Sequence, residues 1–206
     1  MRLSPAELTA LVDAKETSPH RFLGLHPLTG GGLVARALFP WASACELVPE
    51  GPAKPAPMKL LHASGVFEVE LPGSALFRYR FRVTYPDGVS RLVDDPYRFL
   101  PTISEDDLFL LGKGDDHRAH YKLGSHVRTI DGVQGVSFAV WAPSARRVSV
   151  VGDHNLWNGR AHPMRNLGAS GIWEIFIPGL AAGARYKYEI VGPHDTTPFL
   201  KTDPYA

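Results

Sequence analysis

The same residue landmarks occur twice in these 206 residues, a little over one hundred positions apart. Leu23-Gly24 and His26 return as Leu123-Gly124 and His126. Gly65, Phe67-Glu68 and Pro72-Gly73 return as Gly171, Trp173-Glu174 and Pro178-Gly179. Tyr79 returns as Tyr186, and Asp95-Pro96-Tyr97 as Asp203-Pro204-Tyr205. The offset grows from 100 residues, between Gly24 and Gly124, to 108, between Asp95 and Asp203. A duplicated unit behaves in this way when its loops lengthen and its strands do not. The chain is therefore expected to fold as one domain repeated in tandem.

Within each copy the apolar residues recur at every second position, the period of a half-buried strand. Phe67, Val69 and Leu71 alternate with Glu68 and Glu70, and Tyr79, Phe81 and Val83 with Arg78, Arg80 and Arg82. In the second copy Val136, Phe138 and Val140 alternate with Ser137, Ala139 and Trp141. Pro143 then ends that ladder, because it has no N–H to donate. With 20 Gly and 18 Pro punctuating such runs, the pattern predicts many brief strands, an all-β chain of two tandem β-sandwiches with a few short helices. One helix starts at Ser4-Pro5-Ala6-Glu7, where Ser4 and Glu7 form a capping box and Pro5 takes the first helical position. Another starts at Ser104-Glu105-Asp106-Asp107. The expected division is 1–104 and 105–206.

The copies differ at one loop. After the strand Arg147–Val151 come the turn formers Gly152, Asp153, Asn155, Asn158 and Gly159, with Trp157 among them. At the corresponding place the first copy has Pro49 to Pro57, rich in proline and without an aromatic residue. A tryptophan on a polar loop is either tucked beneath it, or against a neighbouring domain, or offered to a ligand. A ring offered to a ligand suits a flat apolar face rimmed by polar groups, and then needs hydrogen-bonding groups beside it. On Arg185–Ile190, Tyr186, Tyr188 and Ile190 point one way and Arg185, Lys187 and Glu189 the other, which turns Lys187 outward. Trp141 and Trp173 lie on strands among apolar residues and are expected in the core.

Several function classes are disfavoured. A formal net charge of +1, from 22 Lys+Arg against 21 Asp+Glu, supplies no field for nucleic acid or an acidic membrane, and neither is expected as a partner. No apolar run approaches the length of a bilayer span. Cys45, the single cysteine, has no internal disulfide partner and fits a small buried residue in a reducing cytoplasm. Asp94-Asp95, Asp106-Asp107 and Asp115-Asp116 are adjacent carboxylates in turn contexts. Glycosidic chemistry instead needs two carboxylates facing each other about 5 Å or more apart. No catalytic residue is expected in these 206 residues. His117, His120 and His126 do not complete a metal signature, and no motif calls for a metal or cofactor.

The run F-A-V-W-A-P followed by V-x-V-V-G-D-x-N-x-W, then G-I-W-E, I-P-G and Y-K-Y, resembles carbohydrate-binding module family 48. The likeness is to the module that precedes the catalytic barrel of 1,4-α-glucan branching enzymes, of glycoside hydrolase family 13. It covers Leu108 to Ala206, with one departure, His154 where the family usually has phenylalanine. The resemblance implies two immunoglobulin-like modules, the first an N1 domain, as the non-catalytic N-terminal half of a cytoplasmic branching enzyme. In such an enzyme a (β/α)8 barrel beyond these residues forms α-1,6 branches in glycogen synthesis. It implies α-glucan and that barrel as partners, and a carbohydrate-binding set of Trp157 for the sugar face, Lys187 for the hydroxyls and Asn155 shaping the loop. A glycogen-targeting subunit and a debranching-type glucan hydrolase share the module and remain as alternatives.

Overall fold

The computed structural model describes residues 3–194 and 197–205. They form two compact units, residues 3–13 with 20–98 and residues 14–19 with 99–205. The division thus falls at Arg98/Phe99 rather than after Ser104. Residues 14–19 join the second unit, where the Thr17 carbonyl accepts from the Asn166 amide at 2.8 Å.

The first unit opens with helix α1 (Pro5–Val12). The Ser4 hydroxyl accepts from the Glu7 amide, and the Glu7 carboxylate accepts from the Ser4 amide at 2.8 Å, so two otherwise unpaired donors satisfy each other. Eight strands follow: β1 (Gly24–Pro27), β2 (Leu33–Leu38), β3 (Ala44–Pro49), β4 (Ala56–Pro57), β5 (Lys59–His62), β6 (Val66–Leu71), β7 (Tyr79–Thr84) and β8 (Ser90–Val93). They make two antiparallel sheets, ordered β1-β2-β6-β5 and β4-β3-β7-β8. Ala35, Leu47, Phe67, Phe81 and Val83 fill the space between them. Cys45 is a free thiol in this core, and burial pushes its pKa up to about 12, as suits an inert apolar residue.

The second unit repeats the plan. Helix α2 (Glu105–Lys113) is capped by Ser104 and Asp107 and stopped by Gly114, whose φ of +74° suits glycine. Its strands are β9 (Gly124–Ile130), β10 (Val133–Trp141), β11 (Arg147–Gly152), β12 (Arg165–Asn166), β13 (Ile172–Pro178), β14 (Tyr186–Val191) and β15 (Phe199–Lys201). The sheets run β12-β13-β10-β9 and β11-β14-β15, all antiparallel. With two α-helices of eight and nine residues among these strands, the fold is all-β.

The duplication reaches individual hydrogen bonds. Tyr79 Oη donates to Asp95 and Tyr186 Oη to Asp203, each at 2.5 Å, and each aspartate also accepts the amide two residues on, of Tyr97 or Tyr205. Pro57 stands opposite Glu46 and Pro163 opposite Ser149. The next amides, Met58 to Cys45 O and Met164 to Val148 O, both span 2.9 Å. Between these matched anchors the first copy advances 11 positions and the second 14, so three extra residues sit in the loop that carries Trp157.

One core expectation is corrected. Trp173 is 1% exposed, with its indole N–H on the Ala142 carbonyl, but Trp141 is 63% exposed. Trp141 ends β10 two positions after Ala139, which belongs to a small core cluster that Leu108 and Leu111 pack against. Farther along, the covering chain offers Gly112 and Gly114, which have no side chains to close over the ring. The ring therefore borders an open groove of about 660 Å³.

Candidate functional site

The loop that leaves β11 is a tight construction. Residues Asp153–Asn155 form one 3-10 turn, and beyond it the Trp157 amide donates back to Gly152 O at 3.0 Å. Leu156 and Trp157 then follow with φ of +53° and +59°, a conformation that non-glycine residues rarely adopt. Two successive residues in this state, at about 1–2 kcal/mol each, persist only where surrounding contacts over-determine them. The result is a loop tip with Leu156 72% and Trp157 41% exposed.

Asn155 supplies that over-determination. It is 2% exposed; its Oδ1 accepts from the Gly152 amide at 3.0 Å and its Nδ2 donates to Val150 O at 2.8 Å. These two backbone partners fix which end of the amide is which. Nδ2 lies 2.9 Å from His162 Nδ1, so His162 must accept there and is a neutral imidazole with its proton on Nε2. Burial pushes the His162 pKa down to about 3, in agreement with that tautomer. Asn155 thus shapes the loop from within, and no face of it is left for a ligand.

His154 fills the position where the resemblance leads one to expect phenylalanine. Its ring centroid lies 5.3 Å from that of His162, and neither of its buried nitrogens has a hydrogen-bond partner among the described residues. Burial lowers its pKa, so a neutral ring serves there as an aromatic spacer. The backbone beside it is closely approached. A Cβ on Gly152 would stand 2.3 Å from Arg185 O and 2.9 Å from His154 Nδ1.

The loop folds over the outward face of β14. Lys187 stands opposite Val151 in the ladder, Glu189 opposite Ser149, and residues paired in this way share a face. Glu189 binds Arg147, and a Cβ on Gly159 would stand 1.9 Å from its carboxylate, so the far end of the loop rests there. At the near end Asp153 accepts the Trp157 indole N–H on Oδ1 at 3.0 Å and Arg185 on Oδ2 at 3.0 and 2.9 Å. These donors hold the Asp153 carboxyl below the usual range, the indole first. Lys187 lies between these two ends, half-buried, and its ammonium meets no partner among the described residues. The structure ties Trp157 through Asp153 to Arg185, two positions before Lys187 on the same alternation, and so adds Arg185 and Asp153, which sequence reasoning passed over. The available signal was position: Asp153 precedes Trp157 by one helical turn, and Arg185 precedes Lys187 by one strand period.

The remaining candidates have structural employment. Asp107 and Asp116 both bind Lys122, Asp94 binds Arg98, and Asp95 is sealed beneath Tyr79. His126 contacts the Leu123 carbonyl at 3.0 Å and His120 lies against Tyr121. Among the described residues no cluster of three or more His, Cys, Asp or Glu could hold a metal ion.

Residues 4–97 match the model of the "alpha-1,4-glucan branching enzyme GlgB, N-terminal domain", and residues 122–206 that of "Carbohydrate-binding module 48 (Isoamylase N-terminal domain)". The chain is 48% identical over 204 residues to the 1,4-alpha-glucan branching enzyme GlgB of Bradyrhizobium sp. (strain ORS 278), covering 99% of this chain and 28% of that protein. It is 50% identical over 206 residues to the GlgB of Frankia casuarinae, covering 97% and 25%. The chain thus spans little more than a quarter of these relatives. Among solved structures, a pullulanase from Anoxybacillus sp. LM18-11 aligns over 89% of this chain and 25% of its own, at 16% identity and a TM-score of 0.34, too distant to bear on function.

Proposed function

Residues 4–97 belong to the branching-enzyme N-terminal domain family and residues 122–206 to carbohydrate-binding module 48, and we propose that the second unit binds α-glucan chains on Trp157. The chain would thereby act as the non-catalytic, substrate-positioning N-terminal part of a cytoplasmic 1,4-α-glucan branching enzyme that forms α-1,6 links. The observation that carries the reading is the strained tip at Leu156-Trp157, which presents a partly exposed indole with its N–H already engaged by Asp153. An apolar sugar face can lie on such a ring while Lys187, without a protein partner among the described residues, reaches the hydroxyls. Asn155 contributes by holding the loop. A shallow site of this size binds in the millimolar range, about −4 kcal/mol. Stacking on one ring contributes about 1–3 kcal/mol by analogy with bases on aromatics. Titration calorimetry with β-cyclodextrin checks the reading. Trp157→Ala is expected to abolish measurable binding and leave the melting midpoint within the range of an exposed-residue change. Wild-type affinity in that variant would show that the ring is structural.

A further inference from the structure

We propose that Asp153 and Arg185 belong to the glucan site, Arg185 as a third hydroxyl-binding side chain and Asp153 as the residue that positions it and the Trp157 ring. The inference rests on the glucan reading above and names a donor, Arg185, that the reading does not include.

The geometry is that of a bracket. One carboxylate oxygen of Asp153 takes the indole N–H at 3.0 Å, and the other takes the Arg185 guanidinium at 3.0 and 2.9 Å. Ring and guanidinium are therefore held at a fixed separation by a single side chain. Arg185 is 81% exposed at its side chain, yet Nε and Nη2 are spent on Asp153, which leaves Nη1 and its two hydrogens aimed away from the carboxylate. A free arginine gives up much rotamer freedom when it orders on a ligand. This one is ordered beforehand and remains in contact with water. Two residues farther along, Lys187 belongs to the same alternation, its Cα about 7 Å from that of Arg185 in an extended chain. With the indole bracketed to Arg185 and Lys187 next in the same alternation, ring and donors can serve one line of sugar hydroxyls.

A solvated Asp–Arg pair contributes little to fold stability, so its removal isolates the binding role. In calorimetric or NMR titration with β-cyclodextrin, Arg185→Ala should weaken binding about three- to tenfold, the range of one good hydrogen bond. Asp153→Ala should weaken it at least as much, since ring and guanidinium are both released. Asp153→Asn keeps an acceptor for the indole and should fall between Asp153→Ala and wild type. A spectroscopic readout separates positioning from simple loss of contact. The near-UV circular dichroism band assigned to Trp157, taken as wild type minus Trp157→Phe, should collapse in Asp153→Ala and survive in Arg185→Ala. All variants should melt with wild type. If Arg185→Ala and Asp153→Ala bind as wild type while Trp157→Ala does not, the bracket is wrong and the glucan reading stands. If Trp157→Ala itself binds as wild type, the glucan reading is wrong. If the dichroism band persists in Asp153→Ala, Asp153 does not position the ring.

Discussion

The Asn155 side chain donates an N–H to Nδ1 of His162 across 2.9 Å, and in doing so it requires a neutral imidazole. A protonated His162 would turn a second N–H toward the same hydrogen bond, and the loop that Asn155 ties to Gly152 and Val150 would lose an anchor.

Acid should therefore weaken the second unit. The folded pKa of His162 is depressed to about 3 from an ordinary 6.5, so its contribution is complete above about pH 6.5 and is lost as pH falls toward 3. Of the groups around it, His154 is shifted the same way by burial, and Asp153 opposes that shift. Melting curves between pH 7 and 4 should show a falling midpoint for the unit that holds Trp157. Substituting His162→Gln should flatten that slope; an unchanged slope would place the acid sensitivity elsewhere.

The first unit should respond to pH in the opposite sense. Asp95 is fully buried beneath Tyr79, and burial pushes its carboxyl up to about 6. A raised acid favours the fold when protonated, so its contribution is complete below about pH 3.8 and is lost as pH rises through 6. That difference amounts to roughly 3 kcal/mol at most. Asp95→Asn should remove the dependence between pH 4 and 6 and leave the unit no less stable at pH 7. A large loss at pH 7 would show that the ionised carboxylate supports the fold.

His154 gives a third prediction. Two buried nitrogens without hydrogen-bond partners among the described residues are an unfavourable way to fill a ring-shaped space. Replacing them with an apolar isostere should be neutral or stabilising, by about 1 kcal/mol. His154→Phe is expected to raise the melting midpoint by a few degrees; a fall would reveal a buried water on the imidazole.

What the sequence made legible was whatever repeats or alternates. The duplication, the strands, both serine caps and the Trp157 loop follow from local pattern. The bracket joins residues 32 positions apart, Asp153 and Arg185, and the Asn155–His162 pair depends on how the loop turns back, which no periodicity reports. Trp141 was misjudged because alternation gives a side chain's face and not the extent of its cover. Leu108 and Leu111 pack against the cluster that holds Ala139, whereas the groove beside Trp141 is lined by Gly112 and Gly114.

The buried Trp173 and the exposed Trp141 should separate accordingly. Trp173→Ala opens a cavity in a well-filled core and should cost about 3–5 kcal/mol, enough to unfold a marginal unit. Trp141→Ser removes a ring that is 63% exposed and should move stability by about 0.5 kcal/mol or less. Denaturant titration of both variants checks the ranking, which fails if Trp141→Ser is the more damaging.

Leu156 brings stability and function into opposition. Its φ of +53° is disfavoured for any residue with a Cβ and free for glycine, while its side chain, 72% exposed, contributes little by burial. Leu156→Gly should relieve the strain but also enlarge the freedom of the unfolded chain, leaving a net gain of about 0.5–1 kcal/mol at most. The same change loosens the turn that presents Trp157. The ring would then have to be ordered when the ligand arrives, and β-cyclodextrin affinity should fall severalfold as the melting midpoint holds or rises. A variant that binds as tightly as wild type would show that Asp153 alone sets the ring. A variant that melts well below wild type would show that Leu156 is held by contacts its exposure does not reveal.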